Sequence, residues 1–100
     1  MKKTKLLALI HPGEVLFEEF MKPMGISINK LARDTAVPPG RISAIVNGKR
    51  SITADTALRL GKYLGVSSEL WLGLQAEYDL RMAQRTVGRE IDKRVHRYVA

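Results

Sequence analysis

The residues with chemistry to offer gather in one short stretch. Arg41, Ser43 and Asn47 stand beside the small Gly40 and Ala44, and Lys49 and Arg50 follow at once. Together they make a small, polar face that can approach another surface closely, with positive charge behind it. Elsewhere nothing completes a catalytic or metal-binding set. His11 and Glu14 have i, i+3 spacing and His96 stands alone among cations, so no third ligand gives a recognisable metal pattern. Glu18, Glu19 and Asp55 have no partner placed for acid/base work, and neither a GxGxxG nor a P-loop occurs. The chemistry is binding rather than catalysis; no enzyme and no cofactor are expected.

Two short helices must position that face. Ser27 can cap the first, in which Ile28, Leu31 and Ala32 recur at helical spacing, and Ile26 with Leu31 occupies the two positions of a hydrophobic staple. Pro38 and Pro39 suit the start of the second, because their fixed φ fits a first turn whose N–H groups lack intrahelical partners. Ile42, Ile45 and Val46 form its apolar stripe, and Gly48 is placed to end it. Such a pair is either a helix-turn-helix, whose second helix enters the DNA major groove, or an ordinary αα-hairpin.

The rest of the chain supplies a core around the pair. Ahead of it, Leu16, Phe17, Phe20 and Met21 predict a helix that Pro23 and Gly25 break. After it, Thr53 caps a helix carrying Ala57, Leu60, Gly61 and Leu64, and Gly65 closes that helix. A fifth helix, SSELWLGLQAEYDLRMAQR, is apolar around much of its circumference and should be buried on two sides, with Leu70, Trp71, Leu74 and Tyr78 assigned to a dimer interface. Gly88 interrupts the tail, and a short amphipathic last helix is expected beyond it. The expected class is all-α, with an N-terminal arm at 1–10, the DNA-binding unit at 11–81 and a helical tail at 82–100.

Composition narrows the class of partner. One hundred residues at 45% hydrophobic content make one domain with a small core, and a net charge of +7 favours a polyanion, nucleic acid or an anionic membrane surface. With no cysteine there is neither a disulfide framework nor a thiolate zinc site, which fits cytoplasmic residence. The run Leu6–Ile10 is too short for a signal-peptide core and reads as mature sequence, while no apolar run approaches the ~20 residues of a membrane span. The basic residues Arg81, Arg85, Arg89, Lys93, Arg94 and Arg97 read as a solvated face.

The motifs, taken in order, resemble one family. HPGE before the first helix, LA in the second, RIS-x-I-x-NGKR through the third, ITADTALRL in the fourth and LWL-x-LQ-x-YDL in the fifth are similar to the lambda-repressor-like helix-turn-helix proteins of the Xre type, in their HigA/VapI branch of antitoxins. The resemblance spans residues 11–81 and implies a five-helix DNA-binding domain that acts as a homodimer. It further implies repression of its own toxin–antitoxin operon and neutralisation of a RelE/HigB-like ribonuclease toxin; the alternative is a stand-alone Xre-type regulator. Mapped by the resemblance, Pro39, Gly40, Arg41, Ser43 and Ala44 face base edges, and Ser27, Asn29, Asn47, Lys49, Arg50 and Thr53 bind phosphates. Arg41 is the long donor of the first set and the candidate for a bidentate guanine contact worth about 1–3 kcal/mol of discrimination. Pro39 and Gly40 stand where many relatives place hydrogen-bonding side chains, which narrows direct readout toward Arg41.

Overall fold

Capping residues set where the helices start. Ser27 Oγ accepts the Lys30 N–H at 3.0 Å, Thr53 Oγ1 accepts the Thr56 N–H at 3.4 Å, and Ser67 Oγ accepts the Glu69 N–H at 3.0 Å. The computed structural model describes residues 9–100, among which these signals punctuate five helices and no strand. Helix α1 runs over 12–24 in three continuous stretches, Pro12–Val15, Leu16–Met21 and Lys22–Met24. It is followed by α2 (Ile28–Thr35), α3 (Pro39–Val46), α4 (Ala54–Leu64) and α5 (Ser68–Arg94). The all-α class expected from the sequence holds. Lys2, Lys3, Lys5, Leu6 and Leu7, assigned to an N-terminal arm, lie outside the described residues.

Each helix contributes one apolar stripe to a single core. Leu16 and Met21 of α1, Leu31 and Ala32 of α2, Ile42 and Ile45 of α3, Ala57 and Leu60 of α4 and Trp71 of α5 are all buried, with Val37 and Ile52 added from the connections. Trp71 sits at the centre, 0% exposed, its ring 5.3 Å from that of Phe20 and tilted against it.

Three expectations are corrected. Pro23 does not break α1: the middle stretch is π-helical, with the Lys22 N–H donating to Phe17 O, and the helix ends at Gly25, whose φ of 66° is left-handed. Widening the turn just before Pro23 relieves the clash between its ring and the preceding carbonyl that would kink an α-helix. Gly88 does not end a helix either; α5 runs unbroken through it to Arg94. One glycine costs about 1 kcal/mol, which the good helix formers Ala83, Gln84 and Arg85 on one side and Arg89 and Glu90 on the other offset despite Thr86 and Val87. Finally, Trp71 is core and not an exposed dimer residue. Leu74 and Tyr78 are half-buried on the same face, and of the four assigned interface residues only Leu70 is exposed. The reason is helical spacing: Trp71, Leu74, Gln75 and Tyr78 follow at i, i+3, i+4 and i+7, which is one face.

That face occupies only the first half of α5. The molecule measures 53 × 35 × 22 Å, and a helix of this length spans about 40 Å. Every residue from 79 to 100 except Gly88 is exposed, so the second half of α5 projects from the core.

Candidate nucleic-acid interface

The turn that sets α2 against α3 is held from outside the pair. Ala36 adopts φ 58°, a left-handed conformation unusual for a residue with a Cβ, and the Val37 N–H donates to Ala32 O at 3.0 Å, which carries Val37 into the core. Arg59 of α4 braces the strained residue. Its Nη1 donates to Thr35 O at 3.1 Å and Ala36 O at 3.3 Å while its Nε donates to Asp55 at 2.7 Å, placing a cation against the carbonyl end of α2. A second brace joins Tyr63 of α4 to Asp34 of α2 through a 2.7 Å bond donated by the Tyr63 hydroxyl. Lys30 donates to the same carboxylate at 2.9 Å, and these two hydrogen bonds, Lys30's first, hold the Asp34 pKa below its ordinary value.

With the turn fixed, α3 turns Ile42 and Ile45 into the core and leaves its other side open. Pro39 and Gly40 are exposed at its start, and Ser43 and Ala44 are half-buried one turn on. No side chain caps its N-terminus. Ser27, Asn29, Pro39, Gly40 and Ser43 are brought together around one open cleft of ≈ 640 Å³, floored by Phe17, Met21, Ile26 and Ile28. Asn29 and Pro39 also border a second cleft of ≈ 520 Å³ with Arg33, an exposed cation that the sequence reading passed over. The Ser27 hydroxyl accepts the Lys30 N–H and donates to nothing among the described residues.

Arg41 is less free than its position suggests. It is half-buried and its Nε is sealed from water without a partner, which leaves the Nη edge as its outward donor. Its charge reaches α4: the Asp55 pKa is lowered first by the hydrogen bond and charge of Arg59, and then by Arg41.

The exit from α3 is a tight cap followed by an exposed loop. Gly48 takes φ 74°, its N–H donates to Ile45 O at 3.0 Å, and the Lys49 N–H donates to Ala44 O at 2.8 Å. Asn47 Nδ2 donates to Ser43 O at 2.9 Å and, more weakly, to Ser43 Oγ at 3.4 Å, so its amide is directed back onto the helix while its Oδ1 can still accept. Lys49 and Arg50 are exposed and take part in no ion pair among the described residues; the five pairs found there are all i, i+4 contacts within helices. The Thr53 hydroxyl is engaged at the start of α4, donating to Thr56 Oγ1 at 3.3 Å.

Beneath this exit lies His11. Its Nδ1 accepts the Gly13 N–H at 2.9 Å and caps α1, its ring meets that of Tyr78 edge-on at 4.8 Å, and it lies against Gly48. Desolvation lowers its pKa, opposed by the charges of Asp79 and Glu14. The unfolded chain therefore takes up a proton near pH 6.5 before the folded one does, so this contribution to stability is complete above about pH 6.5 and is lost as pH falls toward the lower, folded pKa. Thermal melts between about pH 7.5 and 5.5 should fall more steeply for the native protein than for His11→Asn, which keeps the capping acceptor and does not titrate; parallel curves would refute this.

A two-helix unit with an open outer face on its second helix, flanked by exposed cations, defines a DNA-binding domain of the helix-turn-helix class. Residues 17–71 match the helix-turn-helix family. Virulence-associated protein I of Dichelobacter nodosus is 54% identical over 76 residues, 76% of this chain and 70% of that protein. Among solved structures, an addiction module antidote protein of the HigA family from Coxiella burnetii is 51% identical with a TM-score of 0.85, covering 90% of this chain and 98% of that one. Pseudomonas aeruginosa antitoxin HigA, solved with the higBA promoter, is 38% identical with a TM-score of 0.88 over 92% and 100% of the two chains. This chain belongs to the helix-turn-helix family, in its branch of HigA-type antitoxins.

Proposed function

We propose that this protein binds the operator of its own toxin–antitoxin operon as a homodimer, represses that operon, and neutralises a RelE/HigB-like ribonuclease toxin in the cytoplasm. The observation that carries the DNA half is the open outer face of α3 with Lys49 and Arg50 beside it, in a fold that superposes on an antitoxin solved with its promoter. Helix α3 enters the major groove, where Arg41 reads a base edge through its Nη groups, and Ser43 and Ala44 add short-range contacts. Ser27, Asn29, Asn47, Lys49 and Arg50 hold phosphates on either side, which makes affinity salt-dependent. Thr53 serves mainly as the cap of α4. The function proposed is binding, with His11 serving through its Nδ1 as the cap of α1.

Dimerisation follows from the unused face of α5. Gly73, Ala76, Leu80, Ala83, Val87 and Ile91, three or four residues apart and all exposed, form an apolar stripe opposite Trp71. A second copy covers it and sets two recognition helices about 34–36 Å apart on one DNA face.

Mobility-shift titration on the DNA upstream of the protein's own reading frame tests the reading. Arg41→Ala should flatten the preference for that duplex over a scrambled one by about 1–3 kcal/mol. Equal weakening on both duplexes would make Arg41 a phosphate clamp. For the toxin half, co-expression with the adjacent reading frame should rescue growth if that frame encodes a small ribonuclease; a neighbour that is harmless alone identifies a solitary regulator.

A further inference from the structure

The loop that carries Lys49 and Arg50 is fastened to α5 at both ends. At one end Gly48 lies over the His11 ring, which rests edge-on against Tyr78 of α5. At the other, the Ile52 N–H donates to Gln75 Oε1 of α5 at 2.8 Å. Gln75 is 5% exposed and also uses its second polar end, Nε2 donating to Asp79 Oδ1 at 3.0 Å. That second bond fixes which end of the amide meets Ile52, because a carboxylate only accepts. Between the two anchors, Lys49, Arg50 and Ser51 stand exposed.

We propose that Gln75 is a positioning residue for DNA binding: by holding the Ile52 N–H it presents Lys49 and Arg50 to the phosphate backbone in one fixed arrangement. The proposal rests on the DNA-binding reading above. A cation on a loop free to move must be immobilised when it meets a phosphate, whereas one on a loop already held gives up less freedom. Gln75 lies 23 residues from Ile52, and its hydrogen bonds among the described residues go to Ile52 and Asp79, neither assigned to DNA, so it acts through the loop. It also shares α5 with the apolar stripe proposed for the dimer, so the same helix that sets the spacing of two half-sites sets the place of each phosphate-binding loop.

The test measures binding of the full chain, by fluorescence anisotropy, to the duplex upstream of its own reading frame and to a scrambled duplex, in about 50 to 200 mM salt. Gln75→Leu removes the acceptor. It should weaken binding to both duplexes about tenfold and flatten the slope of log affinity against log salt by about 1–2, while the dimer mass is unchanged and the protein remains folded at the assay temperature. Gln75→Glu keeps the acceptor but sets a carboxylate against Asp79, and should also weaken binding. Adding Asp79→Asn to it restores a donor for the second bond and should recover both affinity and slope. If Gln75→Leu melts lower but binds with the native affinity and slope while folded, Gln75 is merely structural and the proposal is overturned. If Gln75→Leu does not fold, the paired exchange decides: recovered slope supports the proposal, and a folded pair with a flattened slope overturns it. Absence of binding by the native protein on either duplex overturns the DNA-binding reading itself, and the proposal with it.

Discussion

Replacing Leu80 and Val87 together by aspartate should convert the protein to a monomer and lower operator affinity by about 10²–10⁴. Both residues are open to solvent in the single chain, Leu80 58% and Val87 41% exposed, so the exchange removes no core contact. Its effect falls on the association of two copies, where four carboxylates would face one another along an apolar seam and would have to be desolvated without partners. Each half-site then binds alone. The gain from tethering two recognition helices on one rigid frame is lost, because the second half-site is no longer reached intramolecularly. Light scattering at micromolar concentration reads the first part and anisotropy on full and half operators reads the second. A dimer mass for the double variant would move the interface off this stripe; a monomer that still binds the full operator at native affinity would remove the dimer from the mechanism.

Much of the frame behind that prediction was legible in the sequence, for a local reason. Ser27, Thr53, Gly48 and Gly65 act within a few residues of themselves, and the stripes of Leu31 with Ala32, Ile42 with Ile45, and Ala57 with Leu60 face inward as their spacing requires. What escaped was set by tertiary context. Pro23 carries a strong local signal to stop a helix, yet the π-helical turn before it lets α1 continue to Gly25. Trp71 and Leu80 are both large and apolar on one helix, and only the placement of the other four helices decides that the first is core and the second exposed.

The candidate site divides the same way. Most of the outward side of α3 followed from period, since Gly40, Ser43 and Ala44 are what Ile42 and Ile45 leave behind, and the family resemblance added Pro39. The half-burial of Arg41, the brace from Arg59 to Thr35 and Ala36, and the bond from Gln75 to Ile52 join residues more than twenty apart or depend on helix placement. Nothing in a single sequence pairs Gln75 with Ile52. Its only local mark is a polar side chain on a helix face otherwise made of Trp71, Leu74 and Tyr78.

Gly13→Ala should be the most damaging single methyl group in the chain. A Cβ built at Gly13 would lie 1.7 Å from Ile45 O and 2.6 Å from Ile45 C, so the first turn of α1 rests directly on the backbone of the last turn of α3. The atoms in the way are backbone and cannot rotate aside as a side chain could. Relief requires α1 and α3 to separate, which opens the core around Leu16 and Ile45 and breaks the seat of His11 under Gly48. The expected loss is about 3 kcal/mol, or roughly 15 °C in Tm for a domain of this size. Because α3 is the helix proposed to enter the groove, whatever folded protein remains should also bind its duplex more weakly. Gly40→Ala is the matched control: among the described residues, nothing beyond its chain neighbours and its own helix backbone comes within 4 Å of its Cβ, so the same methyl at the exposed start of α3 should stabilise by about 0.5–1 kcal/mol through the unfolded chain. Melting temperatures that move together for the two variants would mean that helix propensity, and not the approach of α1 to Ile45, sets the response; opposite shifts locate the contact that holds the recognition helix in place.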